Sequence, residues 1–187
     1  MNGLLYAFVA CFLAGCGARD QMLVAALTRR LGSRLSLLVI ACASGALTSA
    51  LAAVAAQDLG GAMNRDARLI LASFALVAGG LESLLLSPGR EAREPTRSLF
   101  AALLVLAINQ LFDAARFIVL AIALVDGDPL PAALGGAGGG AAALTVGWFA
   151  AGSWSADRRG LWLARKGAGA VLVIVGVVLA LWAKRLL

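Results

Sequence analysis

The sequence is built from apolar runs about 18 to 25 residues long, which alternate with short polar segments. A run of this length crosses a hydrocarbon core roughly 30 Å thick when it forms an α-helix. Only 14% of the residues are charged and 61% are hydrophobic, whereas soluble domains carry about 25% charged residues. The chain is therefore predicted to be an integral membrane protein.

Helix ends are expected where charges collect, because a charge at the centre of the bilayer costs about 3 kcal/mol. The predicted fold class is all-α, a polytopic membrane protein with about six transmembrane helices. The predicted spans cover residues 4–30, 36–56, 69–86, 99–124, 131–152 and 168–182. The first and fourth spans, treated as continuous helices, alone carry charges near their middles. The glycine-rich residues 135–140 lie within the fifth span and predict close helix packing.

The longest polar segment divides the chain into two halves with three spans each. The predicted division is a first three-helix repeat at 1–86, a central polar loop at 87–97 and a second three-helix repeat at 98–187. Residues 15–24 align with residues 110–119, and Ala-Leu-Thr at 46–48 recurs at 143–145. An odd number of spans per half makes the two repeats inverted, an arrangement common in secondary transporters, whose site lies at the repeat interface.

The net charge of +6 indicates a membrane topology rather than nucleic-acid binding, because the basic residues cluster in alternate connections. The first, third and fifth connections contain Arg29, Arg30, Arg34, Arg90, Arg93, Arg97, Arg158, Arg159, Arg165 and Lys166. Basic loops stay in the cytoplasm, so both termini are predicted to lie outside it, in a bacterial inner membrane, although Lys184 and Arg185 favour the opposite orientation. The basic residues around Arg165 are expected among anionic headgroups.

The charges inside the predicted spans are Arg19, Asp20, Asp113 and Arg116. Such residues usually face the protein interior or a water-filled cavity and mark functional sites. In a structural interpretation, Asp113 and Arg116 neutralise each other three residues apart on one helical face. In a functional interpretation, Asp113 and Gln110 present oxygen ligands to a hard cation. Glu82, near the end of the third span, is expected at the membrane interface.

Two short motifs resemble the paired motif of the Gdt-type family of Golgi and bacterial manganese/calcium–proton exchangers. They are Ala-Gly-Cys-Gly-Ala-Arg-Asp-Gln at residues 14–21 and Gln-Leu-Phe-Asp at residues 110–113. That family carries Glu-x-Gly-Asp-(Lys/Arg)-(Ser/Thr)-Gln in both halves, and its acids are thought to bind the metal. The residues that match are Gly17, Arg19, Gln21 and Asp113. The resemblance implies cation transport, with Asp113 and Gln110 as metal ligands.

The two motifs also depart from the family pattern. Gly15 and Ala18 replace both acids of the first motif, and Gln110 replaces the Glu of the second. On an ideal helix Asp20 lies about 140° from Gly15 and does not replace the lost Glu, whereas Arg19 lies about 40° away. Arg19 is expected to pair with Asp113 across the repeat interface. The predicted substrate or cation pathway comprises Gln110, Asp113, Arg19, Asp20, Gln21 and Arg116.

Three function classes fit these patterns. The first is a transporter resembling manganese/calcium–proton antiporters, with altered or lost cation exchange. The second is a six-helix exporter of another small solute, similar to amino-acid exporters, and the third is a non-transporting membrane scaffold. Expected partners are the lipid bilayer, divalent cations and protons, and not nucleic acid. No enzyme and no cofactor are expected, because the three cysteines lack metal-binding spacing and there is no histidine.

Overall fold

In the computed structural model, which describes residues 2–86, 99–152 and 158–184, every regular element is helical. The helices are α1 (Asn2–Gly15), α2 (Arg19–Leu31), α3 (Leu35–Gly61), α4 (Arg65–Leu85), α5 (Leu99–Leu111), α6 (Ala114–Asp126), α7 (Pro129–Phe149) and α8 (Arg158–Ala183), with a 3₁₀ turn at Ala150–Gly152. The predicted all-α class is confirmed. The central loop predicted at 87–97 lies outside the described residues.

The described helices provide four to six candidate membrane spans. Helices α3 and α4 and the segments Pro129–Gly152 and Gly160–Ala183 are each long and apolar enough to cross a membrane. The pairs α1–α2 and α5–α6 meet that requirement only as pairs, bent by 59° and 54°. Large apolar side chains such as Leu47, Phe74 and Ile174 are exposed along these helices. Such exposure fits a multi-pass membrane protein, in which these side chains face lipid.

The first predicted span was expected to be one continuous helix, and this prediction is wrong because the helix is broken. Helix α1 ends at Gly15 and α2 begins at Arg19. Between them Gly17 adopts a φ of 79°, a left-handed conformation that glycine reaches without a steric penalty. The angles deduced from an ideal helix therefore do not describe how Asp20 and Arg19 lie relative to Gly15.

The fourth predicted span is broken in the same way. Helix α5 ends at Leu111 and α6 begins at Ala114. Asp113 precedes α6 in an extended conformation, with φ −90° and ψ 153°. In the alignment of the two halves, Asp113 corresponds to Ala18, the extended residue that precedes α2. The segments flanking each break are 13 or 14 residues long, so each break lies near the middle of its helix pair.

Glycines mediate the closest helix contacts. Gly135 and Gly139 of α7 lie directly against the backbone of α1, which confirms the packing role predicted for the glycine-rich segment. Helix α4 packs along α8, where a Cβ added to Gly80 would lie 2.6 Å from the carbonyl oxygen of Gly169.

Helix α6 occupies the centre of the bundle. It contacts α1, α3, α4 and α7, and its buried residues include Ala114, Ala115, Ile118 and Val119. Because helices surround α6 on several sides, polar residues at its start are held inside the protein rather than in lipid.

Candidate functional site

Polar side chains from both halves of the chain meet at the start of α6. Asp20, Gln110, Asp113 and Arg116 are each at most 6% exposed. Asp20 and Asp113 lie close enough to interact electrostatically with each other and with Arg116, and the side chain of Gln110 adjoins Asp20. We call these four residues the central site. They are four of the six residues predicted to form the pathway.

Arg116 is held by hydroxyl groups of α3. Its Nε donates to Thr48 Oγ1 at 2.7 Å and its Nη1 donates to Ser49 Oγ at 3.0 Å. Gly45 and Gly140 leave room for the guanidinium group, since a Cβ added to Gly45 would lie 3.4 Å from Nη2. Thr48 in turn donates to the carbonyl oxygen of Ser44 at 2.9 Å, so its position is fixed as well.

The predicted neutralisation of Asp113 by Arg116 through direct contact is wrong. Both residues are described, and the salt bridges formed within the described ranges involve Glu82 instead. Asp113 and Arg116 still interact electrostatically at longer range. The physical reason is the hydrogen bonding of Arg116, whose guanidinium group donates to Thr48 and Ser49 of α3.

Asp113 carries an unsatisfied oxygen atom. Its Oδ1 is buried and has no hydrogen-bond partner among the described residues, although the backbone N–H of Ala115 acts on the same carboxylate. A buried polar atom without a partner costs free energy, and such atoms in native structures call for a specific explanation. A bound proton or cation would satisfy this oxygen.

Gln110 joins α5 to α3. Its Oε1 accepts a hydrogen bond from Ser44 Oγ at 2.6 Å, and its Nε2 donates to the carbonyl oxygen of Ala41 at 3.3 Å. The amide of Gln110 also acts on Asp20 as a hydrogen-bond donor. Gln110 therefore positions the central site.

Gln21 joins the first break to α7. Its Oε1 accepts a hydrogen bond from the backbone N–H of Gly17 at 2.7 Å, and its Nε2 donates to the carbonyl oxygen of Ala143 at 2.6 Å. Gln21 was predicted as a pathway residue. Both ends of its amide bind backbone groups, so its visible role is to hold the bend between α1 and α2.

A second buried ionic group adjoins the central site. Arg19 Nη2 lies 2.9 Å from Glu82 Oε1, and Arg165 Nη2 lies 2.7 Å from the same oxygen. Arg165 also donates from Nη1 to the carbonyl oxygen of Gly17 at 3.4 Å. We call Glu82, Arg19 and Arg165 the Glu82 network. Asp113 interacts electrostatically with all three of its members.

The Glu82 network corrects two sequence predictions. The predicted pairing of Arg19 with Asp113 is wrong, because Arg19 pairs with Glu82. The prediction of Arg165 among headgroups is also wrong, since its exposed fraction is 1%. Glu82 is packed inside the protein with an exposed fraction of 8%, and its position at the membrane interface stays a prediction. Mutual neutralisation inside the contact between α4 and α8 makes this burial possible.

The residues missed by the sequence analysis lie mainly on α3. Ser44, Gly45, Thr48 and Ser49 contact Gln110 or Arg116. They form two adjacent pairs that are four positions apart, so they lie on one helical face. A face of small and polar residues within an apolar span was the available signal for this part of the site.

A cavity of about 170 Å³ opens beside Arg116, between α3, α5 and α6. Thr48 and Arg116 are its polar lining residues, and its apolar lining residues include Leu111 and Phe117. Within the described ranges, no group of three or more His, Cys, Asp or Glu side chains is placed to hold a metal ion. A cation at the central site would therefore depend on two carboxylates and on neutral oxygens.

The long apolar helices fit a helical multi-pass membrane protein. No family model, curated protein or solved structure matches this chain.

Proposed function

We propose that this chain is a secondary membrane transporter that exchanges a cation for protons at the carboxylates of Asp20 and Asp113. The observation that carries the proposal is the meeting of two buried acids, one from each bent helix pair. Two neighbouring carboxylates repel each other when both are ionised. Binding of a proton or of a cation relieves that repulsion, and Asp113 Oδ1 offers an oxygen without a competing partner.

We also propose that six spans form two inverted repeats, and the contacts between helices support this arrangement. Helix α1 of the first half packs on α7 of the second, and α5 of the second half packs on α3 of the first. Helices α4 and α8, the last of each half, pack on each other. Such reciprocal contacts are expected of two interlocked repeats, and transporters of this kind place broken helices at the repeat interface. We further propose a bacterial inner membrane, with both termini outside the cytoplasm.

The proposed exchange differs from that of the manganese/calcium–proton exchangers that the motifs resemble. Two complete family motifs would provide four carboxylates, whereas Asp20 and Asp113 provide two. Asp20 occupies a position where the family has a hydroxyl residue. Because the first span is bent, Asp20 reaches Asp113 from that position, which supports altered rather than lost cation exchange.

Proton flux in proteoliposomes tests the exchange directly. The protein is reconstituted with an internal pH dye, and manganese, calcium, sodium or potassium is added outside. We expect at least one cation to drive proton efflux, and Asp113→Asn and Asp20→Asn each to lower that efflux by at least about tenfold, because each removes a charge from the site. Asp58→Asn is the matched control, since Asp58 is an exposed acid of α3.

Two results would contradict the proposal. One is folded wild-type protein that produces no proton flux with any of the four cations. The other is flux that persists unchanged in both Asn variants.

A second candidate function is export of a small organic solute. The cavity beside Arg116 favours it, because its mostly apolar lining with one guanidinium group suits a solute with an apolar part and an anionic group. Counterflow of radiolabelled leucine without cation-driven proton flux would favour this candidate. The absence of both kinds of flux would favour a non-transporting membrane scaffold.

A further inference from the structure

We infer that Arg116 restricts the central site to one monovalent cation, an inference that rests on the proposed cation exchange and specifies its cargo. Arg116 is a buried guanidinium whose described hydrogen bonds go to two neutral hydroxyls, those of Thr48 and Ser49. Arginine stays protonated in proteins. The central site therefore contains a permanent positive charge that no direct salt bridge neutralises.

The surrounding helices keep this charge beside the carboxylates. Thr48 and Ser49 bind two of the three guanidinium nitrogens, and Gly45 and Gly140 lie against the same group from α3 and α7. Thr48 is itself fixed by its hydrogen bond to Ser44. Arg116 is thus a fixed part of the site, and its positive charge stays there whichever cation is bound.

The balance of charges then selects the valence of the cation. Asp20 and Asp113 carry two negative charges, and Arg116 cancels one of them, so one negative charge is left for the cargo. The adjoining Glu82 network contains two arginines and one carboxylate and carries one net positive charge. The two groups together are therefore neutral before cargo binds. A proton or a monovalent cation adds one positive charge, so the exchange of one for the other leaves the total charge of the two groups unchanged. A divalent cation adds a second positive charge in an interior where uncompensated charge is costly.

The ligand set agrees with this balance. The oxygen ligands of the central site are the two carboxylates, since the amide of Gln110 acts on Asp20 as a hydrogen-bond donor and its Oε1 accepts from Ser44. No third acid from the described ranges completes a metal-binding group with Asp20 and Asp113. Divalent calcium takes six to eight oxygen ligands, commonly including several carboxylates, which this site does not provide.

The test measures cation-driven proton flux in proteoliposomes with sodium, potassium, manganese and calcium at equal concentration. We expect wild-type protein to respond to a monovalent cation at least about tenfold faster than to either divalent cation. Arg116→Gln removes the resident charge and should raise the divalent-to-monovalent ratio by about tenfold or more. Arg116→Lys keeps the charge and should keep the wild-type preference for monovalent cations.

A second variant keeps the inference testable if Arg116→Gln does not fold. Ser49→Asp places a new carboxylate next to Arg116, because Ser49 Oγ lies 3.0 Å from Nη1, and it should also raise the divalent-to-monovalent ratio. Wild-type protein that carries manganese as fast as sodium, or an unchanged ratio in the folded variants, would overturn the monovalent restriction and leave cation exchange standing. Folded wild-type protein that carries no cation would overturn the exchange itself.

Discussion

The guanidinium group of Arg165 donates to the carboxylate of Glu82 at 2.7 Å, although the two residues are 83 positions apart. This contact joins α8 to α4, and a further hydrogen bond from Arg165 to the carbonyl oxygen of Gly17 joins both helices to the break between α1 and α2. Arg19 binds the same carboxylate from the start of α2. One acid therefore connects three parts of the bundle and neutralises part of the charge of two arginines.

Replacement of Glu82 should destabilise the folded protein. We expect Glu82→Gln to lower the free energy of unfolding by about 3 kcal/mol, because it leaves Arg165 buried without a carboxylate. Thermal unfolding in detergent micelles measures the change. Asp58→Asn, at an exposed position of α3, should change the free energy by less than about 0.5 kcal/mol. Equal stability of the two variants would show that the Glu82 network does not hold the bundle together.

Two neighbouring glycines of α8 should respond in opposite directions to the same substitution. A Cβ added to Gly169 would lie 2.9 Å from the carbonyl oxygen of Gly80, whereas one added to Gly167 meets nothing within 4 Å. Gly169→Ala is expected to destabilise by about 1 to 3 kcal/mol through overpacking. Gly167→Ala should stabilise by up to about 1 kcal/mol through helix propensity. Unfolding in detergent measures both, and a stabilising Gly169→Ala would contradict the close contact of α4 with α8.

The bend at Gly17 can be tested against a second glycine with a positive φ. Gly17 and Gly32 have φ of 79° and 82°, and alanine at either position pays a steric cost of about 1 to 3 kcal/mol. A Cβ at Gly17 would in addition lie 2.7 Å from the carbonyl oxygen of Leu161, while Gly32 has open space. Gly17→Ala should therefore be the more destabilising variant in the same unfolding assay. Equal losses would argue against close packing of this break on α8.

Gln21 should protect the backbone of the first break from exchange with water. In Gln21→Met the N–H of Gly17 loses its acceptor, Gln21 Oε1, and a buried unsatisfied donor costs about 1 to 3 kcal/mol. Hydrogen–deuterium exchange of the peptide that contains Gly17 should become faster. Gln57→Met is the matched control, because Gln57 is an exposed glutamine of α3. Unchanged exchange in Gln21→Met would show that other contacts hold the break.

The lengths of the apolar runs were sufficient to predict that α3, α4, α7 and α8 exist, because each run had to cross the same thickness of hydrocarbon. The start of α8 was predicted wrongly, since the helix begins at Arg158 and the predicted span began at residue 168. The breaks in the other two spans were not predictable in the same way. Gly17 follows an apolar helix that contains other small residues, and Phe112 and Asp113 include no strong helix breaker. Local propensities leave both breaks undecided, and contacts with distant helices determine them.

The residues that form the central site were easier to predict than the partners that they contact. Asp20, Asp113 and Arg116 lie within apolar runs, and the cost of exposing a charge to lipid places such residues inside the protein. The choice of partner depends on three-dimensional packing. In the sequence Arg165 resembles its basic neighbours. Only the packing of α8 against α4 distinguishes Arg165 from them. Arg19 contacts Glu82 because α2 starts after a bend. The direction of that bend cannot be derived from the helical period of the sequence.

The polar start of α2 has a consequence for the order of assembly during synthesis. Gln21 reaches its backbone partner Ala143 across 122 residues, so the ribosome makes most of the second half before that partner exists. Until then the segment with Arg19, Asp20 and Gln21 lacks a buried partner, and its charges are costly in lipid. We therefore expect the first half to complete its insertion only after the fifth predicted span has emerged, and the two halves to become stable in the membrane together.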